Sequence, residues 1–97
     1  MVLLFTVIVG GMVFGQTAQV RAQFVGTWVR LDRNETWVFG SDGKLTVNGT
    51  ERKWAITGGY FYYITNYAYC YSYEMSSDGK TLILFGRWDD SYCLIKQ

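Results

Sequence analysis

The stretch Gly26-Thr27-Trp28-Val29-Arg30-Leu31-Asp32-Arg33-Asn34-Glu35-Thr36-Trp37-Val38-Phe39-Gly40-Ser41-Asp42-Gly43 holds two short aromatic-bearing runs, each followed by a cluster of turn residues. Asp and Asn side chains bond to nearby backbone, and Gly accepts positive φ, so Asp32-Arg33-Asn34 and Ser41-Asp42-Gly43 mark reversals of the chain. Gly26 to Gly43 therefore opens as a strand, turns, and closes a first hairpin. Outward from it the punctuation repeats at Asn48-Gly49, Gly58-Gly59, Ser76 to Gly79 and Asp89-Asp90, with strand-length runs between. Asn48-Gly49 and Gly58-Gly59 fit two-residue type I′ turns, which need positive φ at both central residues.

These signals predict eight strands, near Thr27 to Leu31, Thr36 to Gly40, Lys44 to Asn48, Arg52 to Thr57, Tyr60 to Thr65, Tyr67 to Met75, Lys80 to Gly86 and Ser91 to Lys96. Consecutive strands become hairpin neighbours, giving an all-β antiparallel meander. An open meander exposes two unpaired edges, and closing the sheet removes both, so a small barrel or half-barrel is expected. Alternation places Trp37, Phe39, Leu45, Val47, Trp54, Ile56, Leu82, Leu84, Tyr92 and Leu94 on the inner face as core.

With 97 residues, 49% hydrophobic and 19% aromatic, no proline and eleven glycines, the chain has room for one small packed domain. Met1 to Gly15 carries no charge and is almost wholly apolar, and composition then turns polar at Gln16. Leu3 to Val9 suits the apolar region of a signal peptide, with cleavage after Gly15, although no Lys or Arg follows Met1. The expected organisation is a signal peptide over 1–15, an N-terminal tether over 16–24 and a barrel domain over 25–97. Secretion or periplasmic export follows, with no membrane span in the mature chain. The nine basic residues are scattered and the net charge is +1, so no electrostatic groove for nucleic acid is expected.

Gly26-Thr27-Trp28, Trp37-Val38-Phe39 before Asp42-Gly43, Trp54-Ala55-Ile56 before Gly58-Gly59, and Tyr73 through Asp78-Gly79-Lys80-Thr81-Leu82-Ile83-Leu84 together resemble the bacterial lipocalin-like domains, small relatives of the calycin barrels. The resemblance implies an eight-stranded up-and-down barrel that binds a small apolar ligand. It also implies barrel closure at Gly26 and Trp28. In that group an arginine of the last strand covers the tryptophan, whereas here the last strand offers Lys96 and the nearest arginine is Arg87 in the preceding turn. An eight-stranded interior either packs solid or holds one small ligand, and both remain open at this point.

Histidine is absent, which removes the usual general base and most zinc sites, and the eight carboxylates fall mostly at turns. No enzymatic activity, metal or cofactor is expected. Cys70 and Cys93 are expected to be free thiols, because a whole strand would separate them, about 9 to 10 Å, against a bridging limit of about 7 Å. The tyrosine ladder is the least ordinary feature: Tyr67, Tyr69, Tyr71 and Tyr73 share one face of a strand, preceded by Tyr60, Tyr62 and Tyr63. A four-residue loop after Met75 turns the ladder inward, and a three-residue loop turns it outward. Tyr60, Tyr62, Tyr67, Tyr69, Tyr71, Tyr73 and Trp88 are the expected ligand-binding residues. The expected function is a non-catalytic binding protein for a small apolar or aromatic ligand. The alternative is a cell-envelope interaction module that recognises a protein or glycan through an outward Tyr and Trp surface.

Overall fold

The computed structural model describes residues 18–87 and 90–97. The expected signal peptide over 1–15, and Trp88 among the expected ligand-binding residues, lie outside the described residues. Eight antiparallel strands follow in chain order: β1 (Gly26–Arg30), β2 (Glu35–Phe39), β3 (Lys44–Val47), β4 (Thr50–Thr57), β5 (Tyr60–Ile64), β6 (Ala68–Met75), β7 (Thr81–Phe85) and β8 (Ser91–Lys96). Each pairs with the next, and β8 returns to β1, so the meander is a closed barrel. Asn48 and Gly49 take φ of 50° and 84°, and Gly58 and Gly59 take 59° and 82°, as two-residue hairpins demand. Asn48 adds a second lock, since its side-chain oxygen accepts from the Thr36 backbone N–H at 2.8 Å across the neighbouring turn.

Closure rests on the register Trp28↔Lys96, Val29↔Ile95 and Arg30↔Leu94. The Lys96 ammonium stands 5.4 Å from the centre of the Trp28 ring, so a lysine covers the tryptophan where the resemblance implied an arginine. Gly26 lets the Lys96 side chain pass, since a Cβ at that position would lie 3.0 Å from Lys96 Cε. Arg87 has no part in this contact. It is exposed beyond the last residue of β7, whereas Lys96 lies beside the first, next to the Thr81↔Ile95 pair.

The segment expected as a tether differs. Residues 18–24 form a short helix, α1, that covers one end of the barrel. Its last residue, Phe24, is fully buried among the strands. The Phe24 ring stacks on Trp54 and Phe61 and meets Phe39 and Tyr73 edge-on, all within 5.3 to 5.7 Å between ring centres. Trp28 Nε1 donates to the Phe24 carbonyl at 2.8 Å and the Lys96 ammonium to the Gln23 carbonyl at 3.3 Å. Both acceptors sit at the helix C-terminus, where carbonyls lack intrahelical partners and cations are favoured. Arg21 lies over the Trp54 ring at 4.5 Å and donates to the Ser41 carbonyl. Helix and barrel end are thus one packed unit.

Phe24, Trp28, Trp37, Phe39, Leu45, Trp54, Ile56, Phe61, Leu82, Leu84 and Leu94 form a continuous buried cluster, with Val47, Tyr63, Tyr71, Tyr73 and Tyr92 packed against it. Aromatic side chains therefore occupy the middle of the barrel. Phe24→Ala should cost about 3 to 5 kcal/mol in denaturant unfolding, as a large buried ring is replaced by a void. A loss below about 1 kcal/mol would show that α1 is only laid against the barrel.

Cys70 and Cys93 are free. Cys93 pairs with Ile83, which pairs on its other side with Glu74, four residues along β6 from Cys70. The two thiols are then separated by about 10 Å across the sheet and about 13 Å along it. Titration of denatured, unreduced protein should find two thiols per chain, and finding none would require a different register for β6 to β8.

Candidate functional site

The strand alternation that fills one end of the barrel with rings places polar side chains at the other. Trp28 and Trp37 face inward as a cross-strand pair, so Arg30 and Glu35, two residues on along their strands and themselves paired, face inward as well. Arg30 is only 8% exposed. Its guanidinium grips Asp32 through Nε at 2.5 Å and Nη2 at 2.9 Å, and reaches Glu35 through Nη1 at 3.4 Å. Its remaining face lies 4.0 Å from the centre of the Tyr92 ring. Glu35 also accepts from Trp37 Nε1 at 2.8 Å. A buried cation is costly unless it is paired and bonded, and this one is both. The Asp32 hydrogen bond outweighs burial and raises the Arg30 pKa further, and the same bond holds the Asp32 carboxyl below the usual carboxylate range.

Around this network stands a cup of about 340 Å³ lined by Arg30, Glu35, Trp37, Tyr63, Tyr69, Tyr71, Tyr92 and Asp90, with Val47 on one wall. The four tyrosines touch in series: Tyr69 with Tyr63, Tyr63 with Trp37, Trp37 with Tyr92, and Tyr92 with Tyr71. Arg52 donates to the Tyr63 phenol at 3.3 Å on the lip. A second hollow of about 520 Å³ adjoins the cup and shares Tyr69, Tyr71 and Asp90 with it, with Ala68, Cys70, Gly86 and Arg87 completing its walls. It exists because β6 outruns β7. The last β7 residue, Phe85, pairs with Ser72, which leaves Ala68 to Tyr71 with β5 alone as a strand neighbour. Gly86 opposite Tyr71 is required, since a Cβ there would stand 2.8 Å from Tyr71 Cε2.

The tyrosine ladder faces inward. Ser76 N–H donates to the Thr81 carbonyl at 2.9 Å, so four residues, 77–80, lie between that pair, and Tyr73 comes opposite Leu84. Along the ladder, surroundings change with depth. Tyr73 packs on Phe24 in the core, Tyr71 is half-buried in the cup wall, Tyr69 is 47% exposed at the rim, and Tyr67 is 70% exposed beyond it. Tyr60 and Tyr62 are not brought to this site. On β5 it is Phe61 and Tyr63 that face inward, so Tyr60 and Tyr62 stand on the outer wall, with Tyr62 beside Cys70. Arg30, Glu35 and Asp90 are not among the residues expected from the sequence, and Tyr63, noted beside the ladder, is not among the expected ligand-binding residues, although alternation from Trp28 and Trp37 and the pairing of Trp54 with Tyr63 carry the signal for Arg30, Glu35 and Tyr63.

Burial first, then a hydrogen bond with Tyr92 and the nearby Asp90 charge, push the Tyr71 phenol well above its ordinary range, and burial does the same more weakly for Tyr73. These phenols stay neutral donors at any physiological pH. Elsewhere Asp78 is held low by Ser76 and the Lys80 backbone, a turn role with no link to the cup. Among the described residues no group of three His, Cys, Asp or Glu side chains is placed to hold a metal ion. The chain matches no protein-family model, no curated protein and no solved structure.

The raised Tyr71 pKa has a thermodynamic consequence. Above the ordinary phenol value of about 10 the unfolded chain loses this proton first, so stability is whole below that pH and falls as pH rises towards the folded value. Thermal melts between about pH 9 and pH 12 should show a steeper alkaline decline for the natural chain than for Tyr71→Phe. Parallel curves would contradict burial of this phenol.

Proposed function

We propose that the protein is an exported, non-catalytic, lipocalin-like barrel that binds a small apolar or aromatic ligand at its mouth and not in its interior. The observation that carries this is the cup itself: aromatic walls from Trp37, Tyr63, Tyr69, Tyr71 and Tyr92 around a few fixed polar groups, above a core already occupied by side chains. Small-molecule sites are commonly hollows of about 300 to 1,000 Å³ with that mixture, apolar faces for affinity and a small number of held polar groups for orientation. Arg30, Glu35 and the Trp37 indole are held by one another before any ligand arrives, so little ordering is left for binding to impose. Export accords with the apolar run of Met1 to Gly15, and the absence of histidine accords with a role without acid-base chemistry.

A second reading is favoured by one feature. Tyr60 at 48% exposure stands on the outer wall, where Tyr62 and the exposed Phe85 add further aromatic surface suited to a protein or glycan contact at the cell envelope. The two readings separate by mutation. With monocyclic aromatic compounds as probes, the Trp37 indole N–H resonance should shift on titration. Tyr69→Ala and Tyr71→Ala should each weaken binding about tenfold, the loss of roughly half a buried ring face, while Tyr60→Ala leaves it unchanged. Unaltered Trp37 resonances with every probe, together with partner recognition that fails in Tyr60→Ala, would transfer the function to the outer wall.

A further inference from the structure

Among the described residues three cations already lie on aromatic faces: Arg21 over Trp54, Lys96 over Trp28 and Arg30 over Tyr92. The third is inside the cup and shows what its walls accept. Arg30 combines a tyrosine face with carboxylates, Asp32 held through two nitrogens and Glu35 through a third. Where the cup meets the adjoining hollow the combination recurs, and among the described residues no cation is paired with it. Tyr69 and Tyr71 supply ring surface and Asp90 supplies the carboxylate, and all three line both the cup and the adjoining hollow.

The charge balance of the cup points the same way. Its lining holds Arg30, Glu35 and Asp90, and the Arg30 charge is already engaged by Asp32 and Glu35. Asp90 makes neither an ion pair nor a side-chain hydrogen bond among the described residues, and its backbone is fixed independently, by Gly86 N–H donating to its carbonyl at 2.7 Å and its own N–H donating to Arg87. Of the remaining cations nearby, Arg52 is directed to the Tyr63 phenol, and Arg87 is exposed in the adjoining hollow and forms no ion pair with Asp90. Tyrosine faces carry negative quadrupole potential, so rings and carboxylate add rather than oppose.

We propose that the ligand taken at the mouth is an organic cation, with an ammonium group seated at the Tyr69 and Tyr71 rings against the Asp90 carboxylate and its apolar part directed towards Trp37 and Tyr63. This rests on the mouth being the binding site. It goes further in assigning the ligand a positive charge and Asp90 the role of its counter-charge. Within the cup an anionic ligand would meet Glu35 and Asp90, and Arg30, the cation of its described lining, is already engaged, while Arg87 stands outside it in the adjoining hollow.

Benzylammonium, benzyl alcohol and benzoate share a ring and differ in charge, and so serve as probes for the full-length protein. Benzylammonium should bind about tenfold more tightly than benzyl alcohol in low salt, the order expected of a cation on a partly dry aromatic face beside a carboxylate. That preference should shrink in about 0.5 M salt as the Asp90 charge is screened. Asp90→Asn, which keeps shape and leaves the backbone bonds in place, should bring the two probes to within about twofold, whereas Tyr69→Ala should weaken both. Equal binding of amine and alcohol, or tighter binding of benzoate, would overturn the cation assignment and leave the mouth as the site. Failure of all three probes to perturb Trp37 or the cup tyrosines would overturn the site as well.

Discussion

Trp28 is the residue on which the architecture turns. It lies in the strand that closes the barrel, paired to Trp37 on one side and Lys96 on the other, and it is fully buried. Its indole N–H is bonded to the Phe24 carbonyl, and the Lys96 ammonium that covers its ring also binds the Gln23 carbonyl. One side chain thus couples sheet closure to the end of α1. Closure leaves neither terminal strand as an open edge. Seating the helix end delivers Phe24 to the centre of the barrel.

The consequence is a division along the barrel axis. A sheet of short strands encloses a narrow interior, and here the rings of Phe24, Trp28, Phe39, Trp54 and Phe61 with four leucines occupy it. Only at the end away from α1 does the inner face become polar, with Arg30 and Glu35 and then the graded tyrosines of β6. The apolar core and the polar, tyrosine-lined mouth therefore lie at opposite ends. The buried Arg30 network is tolerated because every nitrogen of the guanidinium has a carboxylate partner and its face has a ring.

Much of this was legible in the sequence, for physical reasons that also explain what was not. Turn residues impose φ signs and hydrogen bonds locally, so the eight strands and their meander could be placed within a residue or two of their ends. The period of two then sets the inner face, and it holds beyond the apolar residues: Trp28 inward requires Arg30 inward, and Trp37 inward requires Glu35 inward. Those two were passed over because charge suggests solvent, and only the register that brings them together shows how the charge is met. The same alternation separates Tyr60 and Tyr62, on the outer wall, from Tyr71 and Tyr73 within. Phe24 was not legible at all, since so short a run as residues 18–24 offers no helical period to detect and its burial depends on contacts with distant strands. The extent of β6 past β7 follows from the predicted strand ends, but the hollow it opens beside Asp90 could not be read, because it depends on how the chain after Phe85 returns to β8.

The barrel is filled from one end, and on the proposed reading that leaves a ligand only the mouth. Xenon under pressure tests this directly, because it enters dry apolar voids and perturbs the methyl groups that line them. In methyl-labelled protein, the Leu45, Leu82, Leu84 and Leu94 resonances should be indifferent to xenon. Saturable shifts of those leucine methyls would contradict a filled barrel, reveal an interior cavity and move the proposed binding site to the centre of the barrel.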